Sequence, residues 1–356
     1  MSVVSPTQAS LLTRDQDVRP FRQAFVVELD RDLSRDDLVE FARERLAQAP
    51  RFRQLAVGWP APHWADDPGF ELSGHVRETT LPPGQPIESW IGHRLAMPSD
   101  RTHPLWQAWL VRLADGPTAL VGFVHPALLI QPGPDADANP VSQVATGVTS
   151  MIDNAWRTLG AKKTEFHVSG EAVELADLRT VARGFGCAVD DVVLAVVAAG
   201  LRRWWVTRDD DPIALVSLGG KGGLVALPVQ VDPVAQLTEL ASMTATWADG
   251  SSPAAADLGA ALAQAAQVVV GAPPHAVLVL GAGSVSDGAR VGKAQVHKVT
   301  VFATPTDDEE VTVTAADCGD RVLLGATAKA ALTGFGRGVR DGLAMLVAMS
   351  GKKARP

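Results

Sequence analysis

Apolar positions recur along this chain with two periods, and the first half alternates between them. Phe21–Leu29 (FRQAFVVEL) is rich in β-formers and reads as a strand. Ser34 then stands where a helix cap belongs. Leu38, Phe41, Ala42 and Leu46 follow as one apolar face at helical spacing, so a helix is expected from Arg35 to about Gln48. After a loop rich in Pro and Trp (Trp59-Pro60-Ala61-Pro62-His63-Trp64), a second helix runs from about Ile87 to Ala96. Two strands come next, Trp106–Leu113 and Thr118–Val124. They are joined through Asp115-Gly116, an acidic-glycine pair that suits a hairpin turn.

Residues 131–140 (QPGPDADANP) break this pattern with a polar, Pro-rich stretch. The organisation expected is a first domain over 1–140, a crossover over 141–170 and a second domain over 171–356. The second half opens with a helix over Ala172–Arg183, stopped by Gly184-Phe185-Gly186. Asp190 or Asp191 then caps a long apolar helix through Val206, with Arg202 and Arg203 suiting its C-terminal dipole. Strands are expected at Ile213–Leu218, Leu224–Val231, Ala276–Leu280, Lys298–Ala303, Glu310–Thr314 and Arg321–Ala326. A helix at about Gly338–Met349 closes the pattern.

Composition narrows the function classes. Of 356 residues, 46% are apolar and 20% charged, which is ample material for a hydrophobic core. A formal charge of −8 argues against nucleic acid, whose phosphates need a concentrated basic surface. Arg43, Arg45, Arg51 and Arg53 form either a small basic patch or a solvated helix end. Cys187 and Cys318 have no Cys or His neighbours at metal spacing, so neither a zinc site nor a disulfide framework is expected. The opening Met1-Ser2-Val3-Val4-Ser5-Pro6 lacks secretory-signal character, and no apolar run reaches the ~18 residues of a membrane span. A cytoplasmic location is the resulting expectation.

Several short motifs share one order with a known family. Ser5-Pro6-Thr7-Gln8-Ala9 resembles an opening "SPTDA". His63-Trp64 with Asp66-Asp67-Pro68-Gly69-Phe70-Glu71-Leu72 and His75-Val76-Arg77 resembles "W…DPDFDLDYHVR". Arg101-Thr102-His103-Pro104-Leu105-Trp106 resembles "DRSRPLW", and Val189-Asp190-Asp191-Val192-Val193-Leu194-Ala195 resembles "VNDVVLA". These are the marks of the bacterial wax ester synthase/diacylglycerol acyltransferases, which the chain resembles well over its first two hundred residues and weakly over its last third. The resemblance implies an α/β fold of two chloramphenicol-acetyltransferase-like domains, with mixed sheets flanked by helices and a tunnel between the halves. Trp106, Asp190 and Asp191 are its tunnel candidates here. It also implies that this chain has shed loops and small elements.

The family's HHxxxDG motif falls on Val124-His125-Pro126-Ala127-Leu128-Leu129-Ile130-Gln131. By resemblance, its second histidine takes the proton from an attacking alcohol, its Asp braces the loop, and its Gly permits a turn. Here His125 holds the first histidine position, but Pro126 replaces the base, Ile130 the Asp and Gln131 the Gly. Proline has no proton-accepting side chain. Shifting the register by one makes His125 the base and puts Leu129 at the Asp. Neither register recovers the pair. His125 is therefore either a remnant that binds a ligand or a strand-end histidine with a satisfied hydrogen bond. The "SNVPGP" motif is likewise replaced by Gly281-Ala282-Gly283-Ser284-Val285-Ser286-Asp287-Gly288.

Other patterns are weaker. Gly219-Gly220-Lys221-Gly222-Gly223 lacks the ending of a P-loop and reads as a trimmed surface loop; Val279-Leu280-Gly281-Ala282-Gly283 lacks the third glycine and the helix of a dinucleotide fingerprint. One of the neighbours Trp204 and Trp205 should be exposed or cover a partner, and the basic tail Lys352-Lys353-Ala354-Arg355 allows at most peripheral contact with the inner membrane face. The expectation is an acyltransferase-like protein of acyl-CoA and neutral-lipid metabolism, silent at its motif and acting as a binding or scaffolding subunit. Its partner would be an active paralogue or another lipid enzyme, and its ligand acyl-CoA or an acyl chain, without metal or cofactor. The alternative is an active O-acyltransferase, moving a long-chain acyl group from acyl-CoA to an alcohol or diacylglycerol through a non-standard site.

Overall fold

The computed structural model describes residues 2–15, 20–59, 62–114, 118–130, 164–205, 208, 210–218, 221–247, 275–285, 288–305 and 309–353. Gln131 with the rest of the polar break, the crossover up to 163, the hairpin joint at 115–117, Gly219-Gly220, Ser286-Asp287 and Ala354-Arg355 lie outside them. The chain divides into two units. The first takes Met1–Glu165 and Gly288–Val299; the second takes Phe166–Ala261, Ala272–Asp287 and Thr300–Pro356.

The first unit opens on β1 (Ser2–Val3) and α1 (Pro6–Arg14), elements that hydrophobic periodicity did not predict. Their signal lies in capping chemistry. Ser5 Oγ accepts from the Gln8 N–H, and Gln8 Oε1 accepts from the Ser5 N–H. Pro6 fills the first helical position, where its missing N–H costs nothing. β1 pairs with β4 (His63–Asp66), which pairs with β3 (Gln54–Val57). The predicted strand forms as β2 (Gln23–Leu29), and the predicted helix forms as α2 (Arg35–Gln48) with a Ser34/Asp37 capping box.

A one-turn helix, α3 (Leu72–His75), leads into β5 (Val76–Thr80). Helix α4 (Ile87–Leu95) precedes the expected pair β6 (Trp106–Arg112) and β7 (Ala119–Val124). The sheet of this unit has six strands, and two of them come from late in the chain. With β12 (Arg290–Val291) and β13 (Ala294–Ala303), the order is β12-β13-β2-β7-β6-β5. The Asp30 N–H donates to Gln295 O at 3.0 Å and the Gln295 N–H to Asp30 Oδ1 at 2.7 Å, pinning the hairpin to the end of β2.

The second unit is a six-stranded mixed sheet under helices. In order it runs β10 (Lys221–Ala226), β9 (Ile213–Leu218), β11 (Val277–Val285), β14 (Val311–Cys318), β15 (Arg321–Ala328) and β8 (His167–Glu174). β11 is parallel to both neighbours, and the other pairs are antiparallel. Residues 172–174, expected to begin a helix, instead finish β8. Glu171, Val173 and their neighbours pair with β15, and the helix α5 (Leu175–Phe185) starts only after that ladder ends. Gly186 closes α5 in the left-handed conformation at φ +71°.

Helix α6 (Val189–Trp205) is buried on all sides from Val192 to Ala198. It packs between α7 (Pro233–Thr244) and α8 (Phe335–Lys353). The two glycines of Val279–Gly283 lie inside β11, and Lys221-Gly222-Gly223 runs antiparallel to β9. Lys221-Gly222-Gly223 therefore belongs to a strand and not to the trimmed surface loop expected, and Val279–Gly283 runs on as strand, as the missing third glycine and helix of a dinucleotide fingerprint imply. Trp205 is buried while Trp204 is half-buried against the same core, and their rings meet edge to face at 5.4 Å. Both cysteines are free. Among the described residues, no single helix is long and apolar enough to cross a membrane, although the bent pair α5 and α6 passes that test together.

Candidate functional site

The strand β7 delivers the degenerate motif. Immediately after Val124 the chain turns into a short 3₁₀ helix, Pro126–Leu128, with His125 as its cap. Proline is well placed there, because the first helical position needs no N–H. His125 is 1% exposed, and its Nδ1 accepts the Ala127 N–H at 3.1 Å. An accepting Nδ1 requires the proton of the neutral ring to sit on Nε2. Nε2 finds no hydrogen bond within the described residues; Asp15 Oδ2 stands 4.0 Å away, too far for one. Burial drives the His125 pKa down to about 4, against the pull of Asp15, and Arg101 and Arg22 push it the same way as burial. The ring is therefore neutral at pH 7, and its one lone pair is already committed.

Ile130 does not hold the turn through its side chain, which is buried in the apolar cluster of Leu11, Leu12 and Leu128. Gln8 holds it instead. Its Nε2 donates to Ala127 O at 3.1 Å and to Ile130 O at 2.9 Å, while its Oε1 accepts from Trp64 Nε1 at 3.3 Å as well as from Ser5. At 1% exposure, each of these bonds is worth more to keep than a surface bond, because losing one strands a buried polar group at a cost of about 1–3 kcal/mol. Arg101 ties down the other end of α1 through Leu12 O at 2.7 Å and Asp15 O. Sequence reading gave Gln8 no role. The S-x-x-Q spacing of the capping box was the signal available.

A cleft of about 360 Å³ lies at the ends of β6 and β7, its lining residues all within the first unit. Trp106 lines it, together with His75, Leu105, Phe123, Val124 and Arg77. The Trp106 indole N–H donates to Phe52 O at 2.7 Å, and its carbonyl accepts from His75 Nδ1 at 2.8 Å. The His75 ring lies between two others, stacked on Trp106 at 4.7 Å and on Phe70 at 5.1 Å. Sequence reading quoted His75 only as part of a motif.

The remaining candidates have structural partners. Asp190 and Asp191 belong to the second unit, in the first turn of α6. Asp191 is buried, accepting the Ala188 N–H at 2.9 Å and the Thr244 hydroxyl at 2.5 Å, so it locks α6 to α7. Of the arginines that read as either a basic patch or a solvated helix end, Arg43 pairs with Glu40 on the exposed face of α2, while Arg45 lies over Phe41, Arg51 over Trp64 and Arg53 over Phe70. No group of three or more His, Cys, Asp or Glu among the described residues could hold a metal ion.

Comparison with known proteins joins these observations. A family model described as the wax ester synthase/diacylglycerol acyltransferase catalytic domain matches residues 7–129, ending within the His125 turn. The probable diacylglycerol O-acyltransferase tgs3 of Mycobacterium tuberculosis is 37% identical over 105 residues, which cover 27% of this chain and 39% of that relative. A wax ester synthase/diacylglycerol acyltransferase from Marinobacter aquaeolei VT8 has the same fold, with a TM-score of 0.69 over 98% of this chain and 100% of that one, at 20% identity. The first condensation domain of the calcium-dependent antibiotic synthetase follows at 0.56 and 13% identity, covering 98% of this chain and 96% of that one. Residues 7–129 are thus similar in sequence to the wax ester synthase/diacylglycerol acyltransferase catalytic domain, the chain spans under half the length of the curated relatives it matches, and the whole fold is similar to that of the Marinobacter protein.

Proposed function

We propose that this chain is a catalytically silent acyltransferase-fold protein, retained as a binding or scaffolding subunit of acyl-CoA and neutral-lipid metabolism. The observation that carries the reading is the state of His125. A general base must offer a lone pair within hydrogen-bond reach of the hydroxyl it deprotonates. The His125 lone pair accepts the backbone N–H of Ala127, inside a fully buried turn. Pro126, at the position of the family's second histidine, has no proton-accepting group. Losing a general base costs ~10²–10⁴ in rate, so positioning alone would leave only slow transfer. A long-chain acyl group or acyl-CoA is the proposed ligand, an active paralogue or another lipid enzyme the proposed partner, and the cytoplasm, with at most peripheral membrane contact, the proposed location.

Incubating the purified chain with long-chain acyl-CoA and either a fatty alcohol or diacylglycerol tests the silence. The expected result is no ester above the rate without protein. Turnover that disappears in His125→Ala would overturn the reading. Isolation from native cells tests the scaffold, and recovery of the protein alone, as a monomer, counts against it.

A further inference from the structure

The first unit brings together arginines that no carboxylate answers. The β5–β6 register sets Arg77 beside Trp109, and α4 brings Arg94 to the same indole; Arg94 lies 4.0 Å from the ring centroid and Arg77 5.5 Å. Arg77 spends only its Nε, on Gly74 O at 3.0 Å. Arg94 spends one Nη on Met97 Sδ at 3.3 Å, so neither has a carboxylate partner among the described residues. Burial, and after it the charges of Arg77 and Arg22, hold the Arg94 pKa below the usual guanidinium value. Asp15 opposes the same effect of burial at Arg22, and no carboxylate does so at Arg94. Cations held together without an anion leave a place for one from outside.

That place opens on the 360 Å³ cleft, which Arg22, Arg77 and Gln107 line. The Trp109 indole N–H donates to Gln107 Oε1 at 3.2 Å. An indole N–H only donates, so the amide oxygen faces it and Gln107 Nε2 is left with no described acceptor. The two Nη groups of Arg77 likewise have none, and such a pair matches the two oxygens of a carboxylate. Glu71 and Asp100 line the cleft too, Asp100 already accepting the N–H and hydroxyl of Thr102. One negative charge therefore suits the cleft better than the nearly two of a phosphate monoester. Leu105, Trp106 and Phe123 give the ligand's body an apolar surface. The volume is near the lower end of the ~300–1,000 Å³ of ligand sites, too little for a nucleotide with a thioester arm. We infer that this cleft binds a small organic carboxylate, held by the Nη groups of Arg77 and by Gln107 Nε2, in the positive field of Arg22 and Arg94. It is a ligand additional to the acyl group proposed above.

Two signs follow from the charges. Arg77 is exposed, so salt screens its attraction for the ligand and binding weakens as the ionic strength rises. Glu71 carries the ligand's own charge on the same wall, so Glu71→Gln should tighten binding about twofold to fivefold.

The test titrates the full chain with benzoate and with benzamide, the same ring under an uncharged head. Binding is followed by the indole N–H resonance of Trp109, the donor to Gln107. Benzoate is expected to shift that resonance saturably and to bind about tenfold to a hundredfold more tightly than benzamide, the value of hydrogen bonds to a charged group. Sodium chloride at about 0.5 M should remove most of that preference. Arg77→Gln should lose it while still binding benzamide, and coenzyme A should leave bound benzoate in place. The inference is overturned by equal binding of the two probes, by a Trp109 resonance that ignores benzoate, by an Arg77→Gln variant that binds benzoate as the parent does, or by coenzyme A displacing it. The first two are read in the unmodified chain, so a misfolded variant does not spoil the test. None of them measures ester formation, so failure here leaves the proposed silence untouched.

Discussion

Two buried polar side chains, His125 and Gln8, determine what the damaged motif has become. His125 is a cap: its Nδ1 does the work an Asn or Ser oxygen does at other helix starts. Its pKa near 4 lies well below the ~6.5 of an unfolded histidine, so acidification between those values protonates the unfolded chain first. The linked stability is complete above pH 6.5 and declines as the pH falls toward 4, by about 3 kcal/mol in all. His125→Asn should keep the cap and flatten that decline, as measured by urea denaturation at a series of pH values; an unchanged acid limb would show that the shift lies elsewhere. The three losses at Pro126, Ile130 and Gln131 were legible in the sequence because each replaces one required chemical property. Gln8 was not legible as the pin of the turn, since its partners Ala127 and Ile130 lie more than a hundred residues away. It stands where the family's opening motif has Asp, and its amide donates to the loop carbonyls, which a carboxylate cannot do.

At the scale of elements, the sequence located helices by their faces and placed their ends less well. The periodic face of α2 gave that helix from Arg35 to Gln48, whereas α6 starts at Val189, two to three residues earlier than a cap at Asp190 or Asp191 implies, with both residues inside its first turn. β8 was missed because His167–Glu174 mixes polar and small residues, and only its pairing with β15 makes it a strand. The packing of α6 on α8 was equally invisible, since it depends on residues that have no side chain. A Cβ on Gly338 would lie 2.6 Å from Ala199 O, one on Gly342 2.6 Å from Ala199 Cβ, and one on Gly200 2.8 Å from Val339. Close helix approach is what these glycines provide, against a propensity cost of roughly 1 kcal/mol each. Gly338→Leu should force the two helices apart and lower stability by about 1–3 kcal/mol or more, read from thermal unfolding. A variant as stable as the parent would show that α8 is free to move aside.

For the whole molecule, the informative feature is the hairpin of β12 and β13, which completes the N-terminal sheet from residues 288–299. Pattern reading found most of β13 as Lys298–Ala303 but assigned it to a closing meander, because nothing local marks a strand's partner. Without the hairpin, β2 becomes an edge strand with an open row of backbone donors and acceptors. A fragment of residues 1–165 is therefore expected to self-associate in size-exclusion chromatography, and a peptide covering 288–303 to return it to monomer. A monomeric fragment that ignores the peptide would show the edge to be protected some other way.

The same hairpin sets an order of events during synthesis. The first unit cannot close its sheet when its own 165 residues have been made; it must wait for about 130 more. At roughly 5–20 residues per second, β2 stays unpaired on one side for on the order of ten seconds. During that interval the nascent chain carries an exposed strand edge, and another copy on the same message carries an identical one. Slow translation between the two halves would lengthen that exposure, and the yield of folded protein should fall with it.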